Sequence, residues 1–332
     1  MDRLNRLSVI GGGGFGTALA CVAARAGSQV SLWVRDPGLL LAINKAHKNP
    51  GYLPGIALPE EIVAIDDLAV AGDADAILLA VPAQFLRGVL SGLAPHLRAS
   101  APLLICAKGI ETDTNLLMHQ VAGEIAPGHP VAILSGPSFA ADIANGLPTA
   151  VTLACADTAV GAALARSIAT QSFRHYLSPD ITGVALGGAL KNVIAIACGI
   201  TDGRSLGESA RSALMTRGLA EMTRIVVKLG GQAQTMMGLA GIGDLALSCN
   251  SRQSRNFCLG FRLGQGEALA DILAKSRSVF EGAATAGAAV ALARSAQAEI
   301  PICAAIDAIL NGGADIDSAI LELLSRPFAR EE

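Results

Sequence analysis

The chain has 332 residues, a length that suits two domains better than one. Hydrophobic residues make up 52% and charged residues 16%, which excludes intrinsic disorder. The net charge of −3 provides neither a basic surface for nucleic acid nor a polybasic membrane patch. The 7 cysteines are odd in number and lack C-x-x-C spacing, so we predict buried thiols, no metal site and a cytoplasmic location.

The first half of the chain alternates short apolar runs with helix-like stretches. Continuous apolar strands separated by helices are typical of a parallel sheet covered on both faces. We therefore predict a Rossmann-like α/β domain, with a doubly wound and mostly parallel sheet, over residues 1–178. The predicted elements are strands Leu7–Ile10, Val30–Val34, Ala76–Val81, Leu103–Ala107, Val131–Leu134 and Ala150–Leu153, and helices that include Gly16–Arg25 and Gln84–Leu93.

After Pro179, which suits a helix start, the pattern becomes helical and predicts an all-α domain over residues 179–332. The first stretch could span a membrane by length, but it carries Lys191 near its centre. A central lysine costs about 2.5–3.5 kcal/mol on insertion scales, so we expect a buried helix and no stable membrane insertion. The predicted helices are Ile181–Gly199, Ser209–Leu229, Gly266–Leu273, Ala283–Ala293 and Ala304–Leu310.

A G-x-G-x-x-G motif at Gly11, Gly13 and Gly16 follows the first strand and opens a helical pattern. Gly11 would permit a tight turn, Gly13 the approach of a pyrophosphate and Gly16 close packing of helix on strand. The helix N-terminus then presents free N–H groups to phosphates. The motif predicts a dinucleotide cofactor, NAD(H) or NADP(H).

Arg35 and Asp36 end the second predicted strand, where the ribose of such a cofactor is recognised. An acidic residue there suits the free 2′-hydroxyl of NAD, whereas an arginine suits the 2′-phosphate of NADP. The pair favours dual use or a preference for NADP. The alternative is a solvated charge pair before Pro37.

Lys191 has only uncharged neighbours at helical spacing, among them Gly187, Gly188 and Ile194. Burial of an unpaired ammonium is costly, so such a lysine is paired, has a lowered pKa, or both. A lysine of this kind can protonate a carbonyl oxygen as hydride arrives at the carbon. The alternative is a lysine that snorkels from a partly exposed helix.

Four further polar segments are candidates for ligand binding. Lys108 follows a strand of the predicted sheet, and Ser135–Ala140 follows another; the alternatives are a loop lysine and a helix cap. Asp244 ends a glycine-rich turn and would either pair with Lys191 or cap a helix. The segment Ser254–Asn256 offers a hydroxyl, a guanidinium and an amide to phosphate oxygens, or forms an exposed polar turn.

Together these segments resemble the bacterial-type NAD(P)-dependent glycerol-3-phosphate dehydrogenases, from about Leu7 to about Leu324. Many blocks in the same order are more specific than the glycine motif alone. The matching blocks are Gly11–Ala20, Leu32–Asp36, Tyr52–Gly55, Lys108–Glu111, Ser135–Ala140, Gly146–Thr149, Gly187–Asn192, Thr216–Glu221, Gly241–Leu245, Ser254–Asn256 and Glu281–Gly282.

The resemblance implies an enzyme that interconverts dihydroxyacetone phosphate and sn-glycerol 3-phosphate, the phospholipid precursor, with NAD(P)H. It implies a homodimer in which Lys191 is the general acid/base. The residues it assigns to the substrate are Lys108, Gly136, Ser138, Lys191, Asp244, Ser254, Arg255 and Asn256. Those assigned to the cofactor, together with the glycine motif residues Gly11, Gly13 and Gly16, are Gly14, Phe15, Arg35, Asp36, Lys108, Ala140, Arg255, Val279 and Glu281.

The chain departs from the family pattern at three places. Phe15 follows Gly14 where the family usually has serine or alanine followed by tryptophan, and Asp142 replaces a usual glutamate. Residues 204–209 replace a segment that usually contains glycine and asparagine. Two other functions stay open: a β-hydroxyacid dehydrogenase of the 6-phosphogluconate type and a non-catalytic nicotinamide sensor.

Overall fold

The computed structural model describes residues 4–276 and 279–326. The strands are β1 (Arg6–Ile10), β2 (Gln29–Trp33), β3 (Lys48–Asn49), β4 (Leu53–Ala57), β5 (Ile62–Ile65), β6 (Ala76–Leu79), β7 (Leu103–Ile105), β8 (Val131–Ser135), β9 (Thr149–Cys155) and β10 (Phe173–Ser178). The helices are α1 (Gly14–Arg25), α2 (Pro37–Ala46), α3 (Leu68–Gly72), α4 (Ala83–Leu93), α5 (Met118–Ile125), α6 (Ala140–Ala144), α7 (Thr158–Ile168), α8 (Ile181–Gly203), α9 (Glu208–Lys228), α10 (Ala233–Met236), α11 (Asp244–Cys249), α12 (Arg255–Gly264), α13 (Leu269–Lys275), α14 (Glu281–Ser295), α15 (Pro301–Asn311) and α16 (Ile316–Leu324).

The main sheet has 8 strands in the order β10-β9-β8-β7-β6-β1-β2-β5. Six neighbouring strands, from β8 to β5, are parallel, and β9 and β10 run in the opposite direction. In the centre, Val9 of β1 lies opposite Leu32 of β2 and Leu78 of β6. The predicted mostly parallel, doubly wound sheet is confirmed, with helices on its faces and a helical C-terminal region after it.

The direction of the strands gathers the predicted functional segments at one edge. Parallel strands end on the same side, and ligands of such sheets bind beyond those carboxyl ends. Gly11 follows β1, Arg35 follows β2, Lys108 follows β7 and Gly136 follows β8. The strand order reverses between β1 and β6, so the glycine motif lies at the switch point of the sheet.

Helix α8 forms the centre of the helical region. Its apolar window has a mean hydropathy of 1.7, and 94% of that window is buried inside the protein, as expected for a core helix. Small residues let helix α12 cross it in backbone contact. A Cβ atom on Gly199 would lie 2.1 Å from the Phe257 carbonyl oxygen, and one on Gly260 would lie 2.0 Å from the Ile196 carbonyl oxygen. The N-terminus of α12 is therefore held at a fixed distance from Lys191.

The structure contains elements that the hydrophobic pattern did not predict. Among them are α2, β5, α7, β10 and α12. Strand β10 buries only Phe173 at the sheet edge, and α12 starts with a polar turn before a short apolar segment over residues 257–261, so neither has a long apolar run. The division of the chain at residue 178 stays a prediction; β10 ends at Ser178 and α8 begins at Ile181. All 7 cysteines are free, and all but Cys258 are buried, in agreement with the predicted thiols.

Candidate active site

The glycine loop has the geometry that the motif predicts. Gly11 has φ +122°, a conformation that favours glycine, and its N–H donates to the Trp33 carbonyl oxygen at 3.1 Å. A Cβ atom on Gly16 would lie 2.0 Å from the Gly11 carbonyl oxygen, so α1 packs tightly on the loop. A Cβ atom on Gly13 would meet no atom of the described residues within 4 Å. The loop thus presents open backbone and the first N–H groups of α1 on one side.

Two more predicted cofactor residues border this opening. A Cβ atom on Gly14 would lie 3.5 Å from the Cβ of Ala140, so α1 and the start of α6 face each other. The Phe15 ring lies 5.7 Å from the Lys108 ammonium nitrogen, within the range of a cation–π contact. Phe15 therefore connects the cofactor loop to the segment after β7.

Arg35 and Asp36 have different local roles. Asp36 caps α2, since its carboxylate accepts from the Leu39 N–H at 2.9 Å. The Arg35 guanidinium lies 5.9 Å from the centre of the Phe85 ring and forms no salt bridge within the described residues. One member of the pair is thus used in part for helix capping, while the other is an exposed charge just after β2.

The centre of the site is a buried ion cluster around Asp244. One carboxylate oxygen of Asp244 lies 2.7 Å from the Lys108 Nζ, and the other lies 3.0 Å from the Lys191 Nζ. Lys191 also donates to the Ser248 hydroxyl at 2.7 Å. Lys108 donates to the Gly136 carbonyl oxygen at 3.0 Å. The pairing that the sequence left open between Asp244 and Lys191 is therefore formed, and Asp244 holds a second lysine as well.

The cluster has an excess of positive charge. Burial lowers the pKa of Lys191; the carboxylate of Asp244 opposes this effect and the ammonium of Lys108 adds to it. Burial alone would raise the pKa of Asp244, but the two lysines hold it below its ordinary value. Two ammonium groups against one carboxylate suit a negatively charged ligand. A lysine with a lowered pKa is also suited to give up a proton.

The segment after β8 supports the cluster from the sheet side. Gly136 has φ +141°, and its carbonyl oxygen accepts from both Lys108 and the Ser138 hydroxyl, the latter at 2.7 Å. A Cβ atom on Gly188 would lie 2.7 Å from the Ser135 Oγ, so α8 touches the end of β8. This contact brings Lys191 to the edge of the sheet where Lys108 and Gly136 lie.

The segment Ser254–Asn256 starts helix α12. Ser254 caps the helix, with its hydroxyl accepting from the Phe257 N–H at 3.3 Å, as the cap alternative predicted. Asn256 is buried, and its amide oxygen accepts from the Gly282 N–H at 3.1 Å. Arg255 is exposed at the first position of the helix. A guanidinium beside free helix N–H groups is suited to bind phosphate oxygens.

Glu281 ties the helical region to the edge of the sheet. Its carboxylate accepts from the Ala83 N–H at 3.1 Å and from the Lys108 N–H at 3.2 Å. Burial raises the pKa of Glu281, and these N–H groups and the charge of Arg255 oppose that effect. Val279 is half-buried two residues earlier. Glu281 therefore lies against the segments after β6 and β7.

The comparisons with known proteins agree with this geometry. The family model described as the NAD-dependent glycerol-3-phosphate dehydrogenase N-terminus matches residues 6–161, and the model of the C-terminus matches residues 180–321. The chain belongs to this family. The glycerol-3-phosphate dehydrogenases, NAD(P)+, of Parvibaculum lavamentivorans and Caulobacter vibrioides are each 52% identical to it over 326 residues, which is 98% of both chains.

A solved structure shows the same architecture. The crystal structure of glycerol-3-phosphate dehydrogenase from Coxiella burnetii has a TM-score of 0.93 and 36% sequence identity, and the match covers 97% of this chain and 99% of that one. These findings support the glycerol-3-phosphate dehydrogenase family over the two alternatives, the 6-phosphogluconate type and the nicotinamide sensor.

Two side chains of this family member lie in the cluster although the sequence did not single them out. Ser248 lies four residues after Asp244 on α11, so both face Lys191. Asn192 donates to the Lys108 carbonyl oxygen at 3.0 Å and so joins α8 to the segment after β7. Helical spacing from Asp244 was a signal for Ser248. The position of Asn192 depends on packing between distant segments.

Substitutions at two glycines of the glycine loop should affect cofactor binding and stability separately. We expect Gly13→Ala to weaken cofactor binding at least tenfold, since its methyl group enters open space that a pyrophosphate needs, with the melting temperature unchanged within about 2 °C. We expect Gly16→Ala to destabilise the protein by about 1–3 kcal/mol, because its methyl group meets the Gly11 carbonyl. Fluorescence of the single tryptophan, Trp33, with NADH and calorimetry measure the two effects. Equal losses of stability would contradict this separation.

Proposed function

We propose that the protein reduces dihydroxyacetone phosphate to sn-glycerol 3-phosphate, reversibly, with Lys191 as the general acid/base. The observation that carries the proposal is the pairing of the Lys191 ammonium with Asp244 and Ser248 at 3.0 and 2.7 Å, next to Lys108 and the glycine loop. The cluster holds a proton donor beside a positively charged pocket. The product would serve as the precursor of glycerophospholipids.

Lys191 would act at the carbonyl oxygen of the substrate. In the reduction, its ammonium gives a proton to that oxygen, and the neutral amine remains hydrogen-bonded to Ser248. Asp244 stabilises the charged form and fixes the direction of the Nζ atom. In the reverse reaction, the neutral amine takes the proton of the hydroxyl group. Burial lowers the pKa of Lys191, which helps both transfers near neutral pH.

The open side of the glycine loop fits a dinucleotide. When bound, a nicotinamide cofactor supplies the hydride for the carbonyl carbon. The backbone of Gly13 and the first N–H groups of α1 would hold the pyrophosphate. Gly14 and Ala140 would border the cofactor on the side facing Phe15.

The substrate phosphate would lie at the start of α12. Arg255 is exposed there, at the helix end that carries the first N–H groups. Lys108 would bind the polar end of the substrate between Arg255 and Lys191. Ser138 and Gly136 would close the site from the sheet side.

Arg35 favours the use of both cofactors with a preference for NADPH. Its guanidinium stacks near Phe85 and forms no salt bridge within the described residues, so it is available to a 2′-phosphate. Asp36 keeps one carboxylate oxygen in the helix cap.

The function is tested by reduction of dihydroxyacetone phosphate with NADH and NADPH in parallel. We expect turnover with both cofactors, and a loss of about 10²–10⁴-fold in kcat for Lys191→Gln, because the proton donor is removed. Lys228→Gln, on an exposed position of α9, is the matched control and should keep full activity. Absence of turnover by the unaltered protein, despite cofactor binding, would refute the proposal.

The charge of the cluster predicts opposite pH shifts for two variants. The rate of reduction should fall as the pH rises through the pKa of Lys191, because the ammonium form is required. Lys108→Gln removes a neighbouring positive charge that lowers this pKa, so the alkaline limb of kcat should move to higher pH. Asp244→Asn removes the charge that raises it, so the limb should move to lower pH.

The profiles of kcat against pH, measured at saturating substrate, give both shifts. Ser248→Ala is the control, since it removes a hydrogen bond to Lys191 without a change of charge. Displacement of the limb in the same direction by the two charge variants would show that another group titrates.

We also propose a homodimer in the cytoplasm. Free thiols at all seven cysteines suit a reducing compartment. An apolar groove of about 1040 Å³ lies between α8, α9, α15 and α16. Leu324 of α16 lines the groove and is 77% exposed, and Leu321 of the same helix is 67% exposed. In a twofold dimer, the exposed leucines of α16 on one chain can contact the groove of the other chain. A second copy is therefore the occupant we propose.

Sedimentation velocity tests the dimer. The double variant Leu321→Glu/Leu324→Glu should be monomeric at micromolar concentration, because four carboxylates would be buried in the contact. Leu41→Glu, at a leucine of α2 that is 51% exposed, should leave the dimer intact. A monomeric unaltered protein would exclude the dimer, and a dimeric double variant would place the contact elsewhere.

A further inference from the structure

A turn of four residues, Ser251–Ser254, precedes α12 and sets the direction of its first N–H groups. Two hydrogen bonds within the turn define its shape: the Ser254 N–H donates to the Ser251 carbonyl oxygen at 3.0 Å, and the Gln253 N–H donates to the Ser251 hydroxyl at 3.1 Å. Arg252 and Gln253 of the turn are exposed, so these local bonds alone leave it weakly fixed to the rest of the protein.

Arg252 anchors the turn at three points. Its guanidinium nitrogen lies 3.1 Å from an Asp202 carboxylate oxygen. The guanidinium carbon lies 3.8 Å from the centre of the Phe261 ring, which places the two groups in contact. The Arg252 carbonyl oxygen accepts from the Cys258 thiol at 2.9 Å. Phe261 and Cys258 both belong to α12, so Arg252 folds back on the helix that the turn starts.

Asp202 is itself held in place. It lies in the last turn of α8, and its second carboxylate oxygen lies 3.1 Å from an Arg211 guanidinium nitrogen of α9. The next residue, Gly203, is in backbone contact with α12, because a Cβ atom there would lie 2.3 Å from the Phe261 carbonyl oxygen. Asp202 thus connects the turn to the helix that carries Lys191.

We propose that Arg252 and Asp202 are positioning residues for phosphate binding. They fix the turn so that Ser254, Arg255 and the first N–H groups of α12 keep one arrangement relative to Lys191. This inference rests on the proposed function, in which the start of α12 binds the substrate phosphate. Arg252 acts through the turn, where its guanidinium contacts Asp202 and Phe261.

The two variants Arg252→Gln and Asp202→Asn distinguish positioning from direct binding. We expect each to raise the KM for dihydroxyacetone phosphate about fivefold to tenfold, with kcat changed less than twofold and the KM for NADPH unchanged. The double variant should be no worse than Arg252→Gln, since that variant already breaks the ion pair between Arg252 and Asp202. Arg252→Lys, which keeps the charge and loses the flat stacking surface, should recover part of the loss.

Arg262→Gln is the matched control. Arg262 lies on α12, the helix that the turn precedes, and pairs with Glu267 at 2.6 Å. This pair does not involve the turn, so its loss should leave both KM values unchanged. If Asp202→Asn left the KM for dihydroxyacetone phosphate unchanged or lowered it while Arg252→Gln raised it, Arg252 would be a direct ligand and the proposal would be wrong. Unchanged KM values in both variants would also overturn it.

Phosphorus NMR separates this inference from the proposed function. The dissociation constant of inorganic phosphate can be measured on the whole protein without turnover. We expect the same fivefold to tenfold weakening in Arg252→Gln and Asp202→Asn, and none in Arg262→Gln. If the unaltered protein bound phosphate with this pattern but reduced no dihydroxyacetone phosphate, the proposed substrate would be wrong and the positioning role would stand.

Discussion

The site depends on one carboxylate that holds two lysines. Asp244 is 1% exposed and lies within 3.0 Å of both the Lys108 and the Lys191 ammonium nitrogens. A buried charge without a partner is strongly unfavourable, so the cluster is stable only if three separate segments meet with the right geometry. Those segments are the loop after β7, the middle of α8 and the start of α11. The ion cluster therefore makes the chemistry dependent on how the helical region packs on the sheet.

Helix α8 sets the distances between the sheet edge, Lys191 and the turn before α12. It contacts the end of β8 at Gly188 and carries Lys191 about one turn later. It contacts α12 at Gly199, and Asp202 lies in its last turn. Each contact uses a glycine where a side chain would collide with a neighbour. The distances between Lys191, the turn before α12 and the sheet edge are thus set along a single helix. Loops have greater conformational freedom than helices. A helix therefore holds such groups with a smaller loss of conformational entropy when a ligand binds.

The sequence was most informative where the physical constraint is local. The glycine motif predicts its own turn, since φ of Gly11 and the close approach of Gly16 are properties of a few adjacent residues. The unusual position of Lys191 among apolar neighbours also predicts its burial and its need for a partner. The alternation of strands and helices was sufficient for the class of fold and for six of the eight strands of the main sheet.

Contacts between distant segments were beyond such arguments. Asp244 was expected to pair with Lys191 or to cap a helix, and its bond to Lys108 joins residues 136 positions apart. Arg252 looks like one more charge of an exposed turn until its stack on Phe261 is seen. Strand β10 buries only one of its residues and α12 has only a short apolar segment, and each packs on neighbours that offer it an edge or a groove.

The burial of α8 has a consequence for synthesis of the chain. The helices that cover it, α9, α12 and α14, all follow it, and the last ends at Ser295. Translation at about 5–20 residues per second leaves the apolar segment without its cover for on the order of 5–20 s after Gly203 is made. During that interval the nascent chain carries a stretch with the hydropathy of a membrane span. Folding of the chain in the cell then depends on two rates: the rate at which the helical region is completed and the rate at which factors that recognise apolar nascent chains bind this segment.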